Sequence, residues 1–168
     1  PPLSLSGEGE ILVVGDDAPA GTAEPRLGGS EYLAQFGGED AFPELPASPA
    51  ALVEATAAVA DLDSTLATHD VSHGGLAVTL AEMIAEEAGA EVSVDAPAAL
   101  FAETPGRTVV ETTDPDAVRS AFEGVAPVRE LGTADATGTL SLSTGEDSLD
   151  LDCETIVEHR AVIEQTLE

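Results

Sequence analysis

Two dipeptides, Ser48-Pro49 and Asp114-Pro115, punctuate this chain more sharply than anything else in it. In each, a side-chain oxygen able to accept a free helix N–H precedes a proline, whose fixed φ and missing N–H suit the first helical position. Apolar residues follow at helical spacing: Leu52, Val53, Thr56 and Val59 to about Ala60 after the first, Val118, Ala121 and Phe122 after the second. Short strand-like runs lie around them. Ile11 to Val14 reads as a buried strand, Leu66 to Val71, Glu91 to Val94, Arg107 to Glu111 and Val125 to Leu131 as further strands. A helix carrying Leu76, Leu80, Met83, Ile84 and Glu87 is predicted to end near Gly89, and a shorter one covers Pro97 to Ala102. Leu140 and Leu142 against Leu149 and Leu151, across Thr144-Gly145-Glu146-Asp147, predict a hairpin. A last helix from about Asp152 shows Ile156, Ile163 and Leu167 on one side. Strands alternating with helices, closed by a hairpin and a helix, make an α+β chain with α/β-type layers in one domain, residues 1–168.

Residues 16–48 break this rhythm. Connections longer than about 15 residues are unusual in a compact domain and are often functional. Inside this one, Ser30 is a plausible cap for a short helix on which Tyr32, Leu33 and Phe36 share a face.

Charge limits the partners. The chain has 33 Asp and Glu against five Arg, and a formal net charge of −28. Such a molecule repels nucleic acid and anionic membranes. Molar salt shortens the Debye length to about 3 Å, so a salt-rich cytoplasm is the natural setting. Hydrophobic residues make up 43% of the chain and fall in periodic runs, which argues against acidic disorder. One cysteine, Cys153, permits neither an intrachain disulfide nor a thiolate cluster, and no apolar run is long enough to span a bilayer. The start at Pro1-Pro2 suggests a piece of a longer protein.

Two glycine turns carry the candidate chemistry. In Thr68-His69-Asp70-Val71-Ser72-His73-Gly74-Gly75-Leu76, polar groups gather between a predicted strand and a predicted helix, where ligands collect on open sheets. Ser72 is read as a cap, with Gly74 and Gly75 leaving the first N–H groups uncovered for a phosphate or carboxylate. Asp70 is the candidate Mg²⁺ ligand, because a carboxylate beside phosphates repels them unless a cation intervenes. His69 and His73 read equally as anion contacts, proton shuttles or structural bridges. The second turn, Gly28-Gly29-Ser30, offers backbone N–H groups and a hydroxyl, with Arg26 nearby. Neither turn holds a nucleophile with its base, and the chain has no Walker-type loop or dinucleotide fingerprint.

Three stretches carry a resemblance. His69 to Ala77 with Leu80-Ala81-Glu82-Met83, Leu27 to Leu33, and Leu100-Phe101-Ala102-Glu103 with Gly106-Arg107 resemble, in order, the C-terminal domain of the synthetase subunit of phosphoribosylformylglycinamidine synthase, of the aminoimidazole ribonucleotide synthase-like superfamily. The chain departs from that pattern at His73, where an acidic residue is common. The resemblance implies a three-layer α/β/α domain with a mixed sheet, partly ferredoxin-like, from a haloarchaeal enzyme. It implies an ATP- and Mg²⁺-dependent ligase that phosphorylates the amide oxygen of formylglycinamide ribonucleotide, after which ammonia from a glutaminase subunit forms the amidine. Gly28, Gly29 and Ser30 would help hold a substrate phosphate. His69, Ser72, Gly74 and Gly75 would line the substrate or nucleotide cleft, with Asp70 and His73 on the cofactor side. An N-terminal ATP-binding domain would supply most of the ATP surface and the catalytic histidine, leaving this chain inactive alone and with no catalytic residue of its own. A non-catalytic acidic binding module and another ATP-dependent superfamily member stand as alternatives, and a homodimer of the chain is compatible with the fold class.

Overall fold

A computed structural model describes residues 1–15, 25–145 and 147–166, with side chains through Arg160. Part of the long connection (16–24), Glu146 of the hairpin turn, the Ile163 side chain and Leu167 lie outside the described residues. In chain order the elements are β1 (Glu10–Val14), α1 (Glu31–Phe36), α2 (Pro49–Ala60), β2 (Thr65–Asp70), α3 (Gly75–Met83), β3 (Gly89–Val94), α4 (Pro97–Phe101), β4 (Thr108–Thr112), α5 (Pro115–Ala121), β5 (Val128–Asp135), β6 (Thr139–Thr144), β7 (Asp147–Asp152) and α6 (Cys153–Thr166).

The strands form one seven-stranded sheet in the order β2-β4-β1-β5-β3-β6-β7. Every neighbouring pair is antiparallel except β3 and β6, so the sheet is mixed. Side chains alternate across a strand, and β1 exploits this on both faces. Ile11 and Val13 pack into a core with Leu76, Leu80 and Met83 of α3, Leu100 of α4 and Ile156 of α6. Leu12 and Val14 pack into a second core with Leu52 and Val59 of α2 and Val118 of α5, closed by Phe122. The result is the expected α/β/α sandwich of three layers. Each fully buried Leu, Ile or Val contributes about 1.5–3 kcal/mol, so a strand buried on both faces anchors the sheet centre.

Several boundaries follow local chemistry. Asp114 caps α5 as expected, its carboxylate accepting the Ala117 N–H at 3.1 Å. Ser30 caps α1, its hydroxyl oxygen 3.4 Å from the Leu33 nitrogen. The hairpin pairs Leu140 with Leu151 and Leu142 with Leu149, the predicted register.

Others depart from expectation. Ser48 precedes α2 without a side-chain capping bond, and its carbonyl accepts the Leu52 N–H instead. Ala55 takes the buried place assigned to Val53, which is 68% exposed. The third helix stops at Met83 rather than near Gly89. Ile84 is extended, and Ala85 and Ala88 exchange backbone bonds in a tight turn, which sends Gly89 into β3 against Asp135 of β5. Strand pairing and burial of Ile84 outweigh the helical spacing. β5 begins at Val128, three residues late, because Val125 and Ala126 still donate to Phe122 at the end of α5.

Candidate anion-binding site

The two glycine turns lie on the same side of the molecule and meet at one atom. Glu103 Oε1 accepts the N–H of Glu31, directly after Gly28-Gly29-Ser30, and the N–H of Gly74, each at 2.8 Å. Glu31 and His73 also face each other, Oε1 to Nδ1 at 3.6 Å.

Local folding explains the first turn. Gly28 donates to the Ala41 carbonyl and Ser30 to the Leu27 carbonyl, closing a loop from residue 27 to 41. A Cβ on Gly28 would sit 2.4 Å from Ala41 backbone atoms, so only glycine permits this approach. Asp40 seals the loop, accepting the N–H groups of Leu27 and Ala41 at 2.7 Å each. Those two backbone bonds hold its carboxyl below the usual value of 3.8, with the Arg26 charge a smaller contribution. Arg26 itself turns to Glu44 at 3.6 Å and the Phe42 carbonyl at 3.4 Å, both just past the loop's closing bond.

The second turn sits where β2 hands over to α3. Val71 donates to the Arg107 carbonyl, which fixes the strand end, and the Asp70 carbonyl accepts from Thr79 of α3 at 3.2 Å. The cap of α3 is Gly74 in the left-handed region at φ +83°, where L-residues with a Cβ are strained. Ser72 does not cap through its side chain; its carbonyl accepts the Gly75 N–H.

This corrects the expectation of uncovered amides at Gly28, Gly74 and Gly75. The N–H groups of Gly28, Ser30, Gly74 and Gly75 all have acceptors within the chain. Among the described residues, those of Gly29, Ser72 and His73 have none, and all three residues are exposed. The open donors are therefore Gly29, one of the first pair, and two residues that stand just ahead of the second pair rather than in it.

His69 is mostly buried, its side chain 14% exposed, and bridges elements. Its Nδ1 lies 2.8 Å from the Asp70 carbonyl oxygen, which can only accept, so Nδ1 carries a proton. Its Nε2 lies 3.5 Å from Glu82 of α3. The structural reading of His69 accounts for both nitrogens. His73 is exposed beside Glu31, and the Asp70 carboxylate is 76% exposed at the strand end.

Asp70, Glu31, Glu82 and Glu103 make the region acidic, and Arg160 on α6 reaches Glu82 at 3.7 Å. An anion approaching the open amides needs a cation beside it. The Asp70 carboxylate, exposed at the strand end, is open to solvent and so to a cation. Among the described residues, no group of three or more His, Cys, Asp or Glu forms a closed metal cage.

Sequence reasoning assigned no site role to Glu103, although the stretch containing it stood out. Its pattern signal was a carboxylate just past a short helix, which becomes informative only once the fold brings three segments together. Among the described residues, no helix is long and apolar enough to cross a membrane.

Comparison with known proteins agrees with this architecture. The chain is 56% identical over 173 residues to the phosphoribosylformylglycinamidine synthase subunit PurL of Haloarcula marismortui, covering 99% of this chain and 24% of that protein. It spans about a quarter of the length of the curated relatives it matches. Among solved structures, Thermotoga maritima PurL complexed with ATP superposes with a TM-score of 0.66 at 15% identity, covering 91% of this chain and 26% of that one. The same protein complexed with FGAR gives 0.65 at 15% identity, covering 91% and 28%. The family model described as AIR synthase related protein, C-terminal domain, matches residues 7–144, and this chain belongs to that family.

Proposed function

We propose that this chain is the C-terminal domain of an ATP-dependent ligase that converts formylglycinamide ribonucleotide and ammonia to formylglycinamidine ribonucleotide. The observation that carries the reading is the meeting of the two glycine turns at Glu103, which brings the segments of Gly29, Ser72 and His73 to the same side of the fold. The similarity to PurL proteins supports the substrate class.

In this reading the backbone N–H groups of Ser72 and His73, with the Ser72 hydroxyl, donate to phosphate oxygens of the nucleotide or the ribonucleotide. Gly29 serves the substrate phosphate from the other side, on a turn that the buried Ser30 holds by capping α1. Rigid backbone donors lose little entropy when an anion arrives and stay aimed as its charge grows. His69 holds the β2 end against α3 so that Asp70 keeps its outward aim. When bound, ATP supplies the phosphoryl group, and Mg²⁺ held partly by Asp70 offsets the repulsion between phosphate and the acidic wall. Phe36, Phe42 and Leu45, each about three-quarters exposed, border the first turn and suit contact with the N-terminal ATP-binding domain. Ammonia would arrive from a separate glutaminase subunit, in the cytoplasm.

The test uses the full-length protein containing this chain, in molar KCl. Ser72→Ala is expected to weaken nucleotide or ribonucleotide binding by calorimetry roughly tenfold, the worth of one charge-assisted bond, with an unchanged melting temperature. Unchanged affinity for both ligands, or a wild-type protein that makes no amidine from formylglycinamide ribonucleotide, ATP and ammonia, refutes the reading.

A further inference from the structure

Glu103 leaves the chain two residues beyond the end of α4, and its two amide partners lie 72 and 29 residues away in sequence. Both partners are donors at helix starts. The Glu31 N–H is the first of α1, and the Gly74 N–H belongs to the cap of α3. Donors there have no intrahelical acceptor, and the helix dipole favours a negative charge beside them. One carboxylate oxygen has two lone pairs, enough for both bonds, and ionised acceptors make the stronger kind of hydrogen bond.

The rest of α4's exit packs against the same two segments. Tyr32, next to Glu31, stacks on Phe101 with ring centroids 4.9 Å apart and an interplanar angle of 29°. Gly75, next to Gly74, lies so close to Leu100, Phe101 and Ala102 that a Cβ would meet their backbone atoms at 2.5–3.0 Å. Each turn therefore rests on the end of α4 through an apolar or steric contact, and Glu103 adds the single polar atom common to both.

We infer that Glu103 is the positioning residue that fastens the 28–31 turn to the 72–75 turn and so sets the width of the cleft between them. It acts through the two turns, and the ligand touches the open amides beside it. The inference rests on reading the two turns as walls of one binding cleft.

The opposite idea is that the Glu103 carboxylate merely fills an anion's place until a phosphate displaces it. The two ideas predict opposite effects of removing the charge. With the carboxylate as a fastener, the cleft loosens and phosphate binding weakens. With the carboxylate as an occupant, its removal frees two donors and phosphate binds more tightly.

The experiment compares wild type, Glu103→Gln and Glu103→Ala in molar KCl. In the 168-residue chain, amide hydrogen exchange is read at Glu31 and Gly74, with β1 amides as the reference for global opening. Alanine is expected to speed exchange at both amides about tenfold or more while β1 stays protected, since two charge-assisted bonds are lost. Glutamine, whose carboxamide oxygen still accepts both N–H groups, is expected to restore most of that protection. In the full-length protein, alanine is expected to raise KM for the ribonucleotide severalfold with a smaller effect on kcat, and glutamine to recover it.

Unchanged exchange at Glu31 and Gly74 in the alanine variant, or a glutamine variant no better than alanine, overturns the inference. So does tighter binding of inorganic phosphate by either variant. Should alanine unfold the chain, the glutamine variant still decides through its two amides and its phosphate affinity. A wild-type protein without ligase activity removes the proposed function alone, because the exchange comparison needs no substrate.

Discussion

Gly75 presses on the backbone of Leu100: a Cβ added at Gly75 would lie 2.5 Å from the Leu100 carbonyl oxygen. The same glycine has φ +67°, a conformation that costs an ordinary L-residue about 1–2 kcal/mol. Gly124, at φ +73°, has open space where its Cβ would be. The two positions separate conformational strain from steric approach. Gly124→Ala is expected to lose about 1–2 kcal/mol for strain alone. Gly75→Ala is expected to lose about 1–3 kcal/mol more, because the backbone of Leu100 to Ala102 must shift. Denaturant unfolding of both variants at one salt concentration checks the difference, and equal losses would mean that α3 does not pack this closely on α4.

Acid is expected to open the 27–41 loop before it unfolds the sheet. Asp40 is fully exposed, yet its bonds to Leu27 and Ala41, aided by Arg26, hold its folded pKa below the usual 3.8. A depressed carboxyl contributes its stabilisation above the unfolded value and loses it as pH falls through the folded one. The opening therefore has a midpoint below 3.8. Tyr32, the one tyrosine in the chain, lies within this loop, so its fluorescence reports the change. Asp40→Asn is expected to abolish that acid transition and leave the loop looser at neutral pH. A Tyr32 signal that moves only with the far-ultraviolet circular dichroism of the whole chain would contradict this.

How far the sequence speaks depends on how local the cause is. Asp114 and Ser30 lie within four residues of the amides they cap, and both were legible. The hairpin register followed from alternation of Leu140, Leu142, Leu149 and Leu151 around a short turn. The end of α3 was not legible, because Ile84 and Ala88 continue the helical spacing while the pairing that overrides it comes from β5, far along the chain. The site shows the same division. Glycine pairs marked both turns, since their need for positive φ or close approach is written into residue type. Which amides stay open was not written there. Gly74 is bonded by a carboxylate 29 residues away, and Ser72 and His73 inherit the open role only after that bond forms.

By pattern Glu111 ends an ordinary strand, and its surroundings give it a heavier task. It is fully buried in β4, on the face it shares with Val109. Its Oε2 accepts the Ser6 N–H at 2.6 Å, and its Oε1 accepts the Ser6 hydroxyl at 2.8 Å, the Glu8 N–H at 3.1 Å and the Gly9 N–H at 3.0 Å. Leu5, just before this segment, is buried and donates to the Met83 carbonyl. The polar, glycine-rich start of the chain is thus strapped over the end of α3 by one carboxylate. Removing it leaves the buried Gly9 N–H and three part-buried donors without an acceptor, a loss of about 1–3 kcal/mol for the buried one and less for each of the others. Glu111→Ala is expected to lose that much in denaturant unfolding and to expose residues 1–9 to proteolysis. Glu111→Gln is expected to fall between alanine and wild type. Its oxygen can serve the three Oε1 donors, but its NH₂ then faces the Ser6 N–H, donor against donor, and that part-buried bond is lost. A loss below about 1 kcal/mol for alanine would mean that water reaches these donors and that the strap is held by Leu5 instead.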